Sequence, residues 1–288
     1  MAAKGQDYAR DAPASLQVEE LVVSYGGVHA VSNVSFEAEP GSIVGLIGPN
    51  GSGKTTTLDA ISGLVSPSSG RITVDGIDLV EYLPEERRAV GMIRSFQDCR
   101  LYPELSVEDV LMLTEDARRP VGVVSSTLVA PWAWQSENGK RIAVKRVIDS
   151  FGLGRFSNHR IVELSTGTRR VVDLASIVLA NPRILLLDEP TAGIAQREAE
   201  AFIPLLKRLH EVANTTIVLV EHDVPLVFSL CSKVIVMETG SVVSFGTPSE
   251  VSRDPRALAA YLGASDEALL VSGPLGRLVT DSRLEKES

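Results

Sequence analysis

The stretch GPNGSGKTT, Gly48 to Thr56, constrains this chain more than any other. It fulfils G-x-x-x-x-G-K-[ST], follows the apolar run SIVGLIG from Ser42, and precedes TTTLDAISGL, which can continue as a helix. Strand, loop and helix in that order is the context a phosphate-binding loop needs, and a chance glycine-rich turn would not supply it. Glycines at 48, 51 and 53 let the backbone curl until the N–H groups from Asn50 through Gly51, Ser52, Gly53, Lys54 and Thr55 to Thr56 point inward at a polyphosphate. Lys54 then reaches the β- and γ-phosphates, and the Thr55 hydroxyl is placed to hold Mg²⁺.

A second constellation lies far downstream. The strand-like run RILLLDEP, Arg183 to Pro190, ends in two adjacent carboxylates. Successive side chains of a strand point to opposite faces, so Asp188 and Glu189 cannot share one job. With a phosphate loop upstream, Asp188 is expected near Mg²⁺ through water, and Glu189 is placed to polarise an attacking water. The competing account, a solvated acidic turn, is disfavoured by the phosphate loop upstream.

Bulk properties narrow the setting. A chain of 288 residues can bury one substantial core with a subdomain. A net charge of -9 gives no global basic footprint for nucleic acid, and no nucleic-acid partner is expected. The two cysteines, Cys99 and Cys231, have no metal or redox spacing and suit a reducing cytoplasm. Residues 1–14 lack the apolar stretch of a secretory signal and are expected to form a flexible tail; residues 264–288 are read as a C-terminal tail with an apolar piece, EALLVSGPL, either disordered or docked. VGVVSSTLVAPWAW, Val121 to Trp134, is too short to span a bilayer and holds Gly122 and Pro131. It is expected to pack within the protein rather than to face a membrane partner.

Along the chain, LQVEELVVSY reads as a strand, VSNVSFEAE as a second, and the third enters the phosphate loop, which suggests an antiparallel sheet laid against a nucleotide core. RITVDG and VGMIRSFQ follow as strands. Between Leu101 and Leu164 the pattern turns helical: SVEDVLML opens on a Ser106 cap with Glu108 and Asp109 in the first turn, and NGKRIAVKRVIDSFGL offers Ile142, Val144, Val147, Ile148 and Phe151 as an apolar set. After Leu164 near-continuous apolar strands alternate with helices, the pattern of a parallel sheet buried on both faces. The expected fold is α/β, a P-loop nucleotide-binding core with an antiparallel β subdomain and an inserted α-helical subdomain over residues 101–164.

From Leu16 to Gly263 the sequence resembles the ATP-binding-cassette ATPases, so residues 15–263 are expected to form that domain. Tyr25 stands where the family stacks an aromatic ring on adenine, Gln97 in SFQDCRLYPELS looks like the glutamine that touches Mg²⁺ and water, and LSTGTRR (Leu164 to Arg170) looks like the family signature. TAGIA after Pro190 looks like the loop that crosses the dimer, and His222 in VLVEHD looks like the switch histidine. The resemblance implies ATP and Mg²⁺ as ligands, with Glu189, His222 and Gln97 catalytic. It implies that Ser165 and Gly167 serve ATP held by a second cassette subunit, identical or related, because a hydroxyl and free N–H groups at a helix start form an anion site. Two departures stand out: Thr166 and Thr168 in the signature, and Ala195 where an aspartate is commonest in the crossing loop.

YGGVHAVSNVSF, IRSFQDCRLYPELSVEDV, the long helical insertion and the ending GTPSEVSRDPRALAAYLG are similar to the importers of branched-chain amino acids and related hydrophobic or amide solutes. That likeness implies membrane permease partners, a solute-binding protein and a peripheral place on the cytoplasmic face of the membrane. An exporter ATPase would share every ATP-site residue. A soluble cassette of translation or repair would be expected to carry paired cassettes, arms or basic extensions, which the sequence lacks, and a non-hydrolysing regulatory subunit would not need Glu189 and His222.

Overall fold

A computed structural model describes residues 12–95, 101–118, 131–192 and 196–262. Gln97, Ala195, most of the Val121 to Trp134 stretch and the tail beyond Gly263 lie outside those residues. The chain divides into two compact units, one made of Met1–Arg94, Arg183–Pro190 and Thr215–Ser288, the other of Ser95–Pro182 and Thr191–Asn214.

The first unit holds two sheets. In the larger, strand β3 (Ile43–Ile47) lies between β8 (Thr216–Val220) and β9 (Lys233–Glu238), and β7 (Ile184–Asp188) flanks β8; these pairings are all parallel. The edges are β6 (Met92–Ser95) beside β7 and the antiparallel β10 (Ser241–Gly246) beside β9. Every residue of β3, β7 and β8 is buried, which is why these segments read as unbroken apolar runs rather than as alternation.

The smaller sheet is antiparallel in the order β2 (Val28–Ala38), β1 (Leu16–Tyr25), β4 (Ser69–Val74) and β5 (Ile77–Asp78). It therefore draws strands from both sides of the phosphate loop, and not only from upstream of it. Leu16, Val18, Leu21 and Val23 of β1, with Val31, Val34 and Phe36 of β2, form its buried face and join the core of the larger sheet.

Helix α1 (Lys54–Ser62) follows the phosphate loop. A second short helix, α2 (Pro84–Ala89), has no apolar period to announce it; Pro at its first turn and the Glu86 carboxylate accepting from Leu83 N–H set its start. Its purpose is legible in Arg87, only 2% exposed. The Arg87 guanidinium donates to the carbonyls of Ala60 (2.7 Å) and Ile61 (2.6 Å) at the end of α1, and to Tyr82 O (3.0 Å). These carbonyls have no partner inside the helix, so the arginine closes the C-terminus of α1 with a positive charge. Burial pushes its pKa down to about 10, so it stays charged at neutral pH.

In the second unit, α3 (Val107–Arg118) is capped as expected: Ser106 Oγ accepts from Asp109 N–H at 3.1 Å and the Asp109 carboxylate accepts from Ser106 Oγ at 2.6 Å. Helix α4 (Pro131–Ser150) begins seven residues before the NGK segment, since a proline at the first position loses no helical hydrogen bond. Val144, Val147, Ile148 and Phe151 are buried, whereas Ile142 is 52% exposed and is not part of the apolar set. At 100° per residue, positions 144, 147, 148 and 151 share a stripe that 142 cannot join. Helix α5 (Thr166–Ala180) packs on α3, α4 and α6 (Gln196–Ala213), and α6 accommodates Pro204 internally. No helix among the described residues is long and apolar enough to cross a membrane.

Replacing Arg87 by Met should leave the Ile61 carbonyl buried without its donor and the Ala60 carbonyl with only the Gly63 N–H. We expect a loss of about 2 to 4 kcal/mol in unfolding free energy, read from the urea midpoint of the full chain; a loss below about 0.5 kcal/mol would contradict the capping role.

Candidate functional site

The parallel order of the larger sheet brings three loops to one edge, because the carboxyl ends of β3, β8 and β7 are neighbours. The phosphate loop leaves β3, the Asp188-Glu189 pair ends β7, and Glu221 and His222 follow β8. Residues separated by up to 174 positions in sequence (222 − 48) thus become one site.

The phosphate loop is held by its surroundings. Gly48 has φ +150°, and a Cβ there would lie 2.1 Å from the Met237 carbonyl; Gly53 has φ +98°, and a Cβ there would lie 2.5 Å from Ala30 O. No larger residue fits either position without moving the backbone of β9 or β2. Gly240, in the turn between β9 and β10, donates its N–H to Ser52 O (3.0 Å) and accepts from Ser32 N–H (2.8 Å), tying the loop to β2. Gly53 offers no side-chain cap to α1, so the first N–H groups of that helix remain directed into the loop.

Lys54 is 5% exposed, and its ammonium donates to the carbonyls of Gly48 (2.8 Å) and Pro49 (2.9 Å). Burial lowers its pKa while the charges of Glu189 and Asp188 oppose that shift, so the amine is a cation kept close to two carboxylates. Asn50, Gly51 and Thr55 are exposed on the loop, and Thr56 is half-buried.

Asp188 and Glu189 diverge, although Glu189 lies just past the end of β7 and owes its direction to a left-handed backbone rather than to strand alternation. Asp188 is buried, and its Oδ2 accepts from Arg94 Nη2 at 2.8 Å. Arg94 also bonds Asp59 Oδ1 and donates to Ser62 Oγ at 3.1 Å, both on α1. Burial raises the pKa of Asp188, with Arg94 acting against the shift. Glu189 turns the other way: its φ is +45°, its N–H donates to Val220 O (2.9 Å), and its Oε1 lies 2.7 Å from His222 Nε2. That left-handed backbone is uncommon for a glutamate and aims its carboxylate at the histidine rather than along the strand.

The donor set suits a polyphosphate with a hard cation. Ser52 Oγ and Asp188 Oδ1 are buried without a hydrogen-bond partner among the described residues, and with the Thr55 hydroxyl they provide the oxygen chemistry Mg²⁺ prefers.

Tyr25 closes β1 and is 52% exposed, available for stacking. Ser165 and Gly167 lie in the second unit at the start of α5. Ser165 is the N-cap, accepting from Thr168 N–H at 3.2 Å, with its hydroxyl 2.9 Å from Thr168 Oγ1. Thr168, one of the departures in the signature, therefore engages the serine itself. Arg169 steadies this start by donating to the carbonyls of Ile161 (3.0 Å) and Val162 (2.9 Å).

Sequence reasoning passed over Arg94 and Asp59. The signal was present: an arginine inside the apolar run VGMIRSFQ has to find a buried partner, and Asp59 lies one helical turn beyond Thr55.

Residues 31–192 match the ABC transporter family model, and residues 241–267 match that of the branched-chain amino acid ATP-binding cassette transporter. The high-affinity branched-chain amino acid transport ATP-binding protein LivG of Escherichia coli is 34% identical over 249 residues, 86% of this chain and 97% of that protein. BraF of Pseudomonas aeruginosa, of the same description, is 31% identical with the same coverage. An ATP-binding cassette of an ABC transporter solved in its ADP conformation superposes with a TM-score of 0.72 at 25% identity, spanning 87% of this chain and 99% of that one. With a family match over more than half its length and relatives aligned nearly end to end, the chain belongs to the ATP-binding-cassette transporter ATPases.

Proposed function

We propose that the chain is the ATP-hydrolysing subunit of an importer for branched-chain amino acids or related hydrophobic and amide solutes. The observation that carries the hydrolytic part is the Glu189–His222 pair, 2.7 Å apart beside the phosphate loop. Support for the substrate class comes from the match of residues 241–267, which lies outside the motifs common to all cassettes, and from LivG and BraF.

In this reading Lys54 exchanges the Gly48 and Pro49 carbonyls for the β- and γ-phosphates of ATP, and the N–H groups from Asn50 to Thr56 take the remaining phosphate oxygens. Tyr25 stacks on the adenine. Mg²⁺, when bound, neutralises charge on the transferring phosphoryl group. Thr55 and Asp188, the latter through a water, are the residues to hold it, with Gln97 as a third by resemblance. Glu189 accepts a proton from the attacking water, and His222 fixes its Oε1 so that the carboxylate does not have to reorient during reaction.

One phosphate loop and one signature make half of a composite machine. Ser165 and Gly167, at the start of α5, would take the γ-phosphate of ATP bound to a second cassette, and closure driven by that contact would be relayed to permease partners. A solute-binding protein would deliver the substrate, and the chain would sit on the cytoplasmic face of the membrane through its permeases. The solved dimeric cassette among its structural neighbours is compatible with such an assembly.

Glu189→Gln should bind Mg-ATP as wild type does, turn over about 100-fold to 1,000-fold more slowly, and accumulate as an ATP-bound dimer on size exclusion. Rapid turnover by that variant would remove Glu189 as the base. Ser165→Arg should leave nucleotide binding to the isolated chain intact while abolishing the ATP-dependent dimer; a dimer that persists would argue against the signature assignment. For the substrate, the chain reconstituted in liposomes with the permeases purified alongside it should drive ATP-dependent leucine uptake, and efflux in the same vesicles would favour an exporter instead.

A further inference from the structure

Arg94 occupies a position that the hydrolytic scheme does not use. It stands on β6, only 7% of its side chain is exposed, and it joins two carboxylates from different elements: Asp188 at the end of β7 and Asp59 on α1. Ser62 Oγ, one turn beyond Asp59, accepts a further bond from the same guanidinium nitrogen that meets Asp59. A planar guanidinium with donors in a fixed fork can hold two carboxylates at a set spacing, which a lysine ammonium cannot do with comparable geometry.

The bond to Asp188 is selective. Arg94 takes Oδ2 at 2.8 Å, while Oδ1 is buried without a partner among the described residues. A carboxylate pinned by one oxygen cannot rotate about its χ2 angle without breaking that bond, so the other oxygen keeps a single direction. The far side of the same fork is anchored to α1, the helix that also begins with Lys54 and Thr55. The strand-end carboxylate and the phosphate-loop helix are therefore registered to each other through one side chain. Outer partners of metal-binding groups commonly act in this way, by orienting the group that faces the metal.

We propose that Arg94 is a positioning residue that aligns Asp188 Oδ1 with the Thr55 hydroxyl for a shared Mg²⁺, an inference that rests on the ATPase reading above. Arg94 itself touches neither metal nor nucleotide. Two explanations of the arginine make opposite predictions. As a mere counter-charge, it competes with the cation, so a neutral replacement would tighten metal binding and a lysine would behave as wild type. As a positioning residue, its geometry matters more than its charge, so a lysine fails to replace it.

The test uses the full chain with Mn²⁺ as a paramagnetic stand-in for Mg²⁺ and a non-hydrolysable ATP analogue, with bound Mn²⁺ counted by electron paramagnetic resonance. Arg94→Lys should weaken Mn²⁺ binding in the ternary complex about tenfold, with metal-free analogue affinity unchanged and the half-saturating Mg²⁺ for hydrolysis raised in parallel. Asp59→Ala, which removes the carboxylate that anchors Arg94 on α1 and leaves the Ser62 and Asp188 contacts, should shift Mn²⁺ affinity in the same direction by a smaller factor. Wild-type Mn²⁺ affinity in Arg94→Lys, or tighter binding in Arg94→Met, would overturn the proposal. Should Arg94→Lys lose its cooperative thermal transition, Asp59→Ala decides, and undisturbed Mn²⁺ affinity there overturns it. Failure of the wild-type chain to bind metal and analogue together would instead remove the ATPase reading itself, so the two failures are distinguishable.

Discussion

The rest of the structure depends on the parallel pairing of β3, β8 and β7. Parallel neighbours end on the same edge, so each strand delivers its last residues to one place whatever the intervening chain does. The order β3, β8, β7 puts the phosphate loop beside His222 and His222 beside Glu189, which is the spatial order the chemistry needs although it is not the order of the sequence. Complete burial of all three strands makes that register hard to slip. A one-residue shift in β7 or β8 would move a charged strand end, Asp188 or Glu221, into an apolar layer.

Charges near that edge are buried, which carries a desolvation cost that only close partners can offset. Two solutions appear side by side. Lys54 is satisfied by backbone carbonyls that a phosphate can replace, so its pairing is provisional. Asp188 is satisfied on one oxygen by an arginine that is itself held by Asp59 and Ser62, so its pairing is permanent. The same chain thus keeps one charged group ready to exchange partners and another fixed, at neighbouring positions. Arg87 represents a third use, a buried cation spent wholly on main-chain carbonyls at the far end of α1. Between them, Arg87 and Arg94 hold the last turn of the helix that begins with Lys54.

Much of this was legible in the residues. The phosphate loop, the strands Leu16–Tyr25, Lys233–Glu238 and Ser241–Gly246, and the apolar run ending at Asp188 show themselves because their patterns are long or their chemistry is strict. What escaped is short. Helices α2, α7 (Val224–Leu230), α8 (Pro248–Val251) and α9 (Pro255–Leu262) span at most eight residues, too few for a 3.6-residue period to emerge. Their signals were local instead: a proline in the first turn of α2, α7 and α8, and the Thr247–Glu250 capping box, in which Thr247 Oγ1 accepts from Glu250 N–H. Ile142 was misassigned because apolar character was counted without its angle around the helix. Arg94 and Asp59 escaped for a different reason: an arginine inside the apolar run VGMIRSFQ signals that a buried partner is needed, but which residue, 35 positions away, supplies it is set by tertiary structure.

The Gly240 turn links the general and the particular in this protein. Its N–H holds the Ser52 carbonyl in the phosphate loop, and the stretch matching the branched-chain amino acid transporters begins at the next residue, Ser241. The part of the chain that sets this lineage apart is therefore covalently adjacent to a support of the part shared by every cassette. Sequence drift in the C-terminal segment is constrained from within: any change that tilts the β9–β10 hairpin is passed by one peptide bond and one hydrogen bond to the seat of the nucleotide.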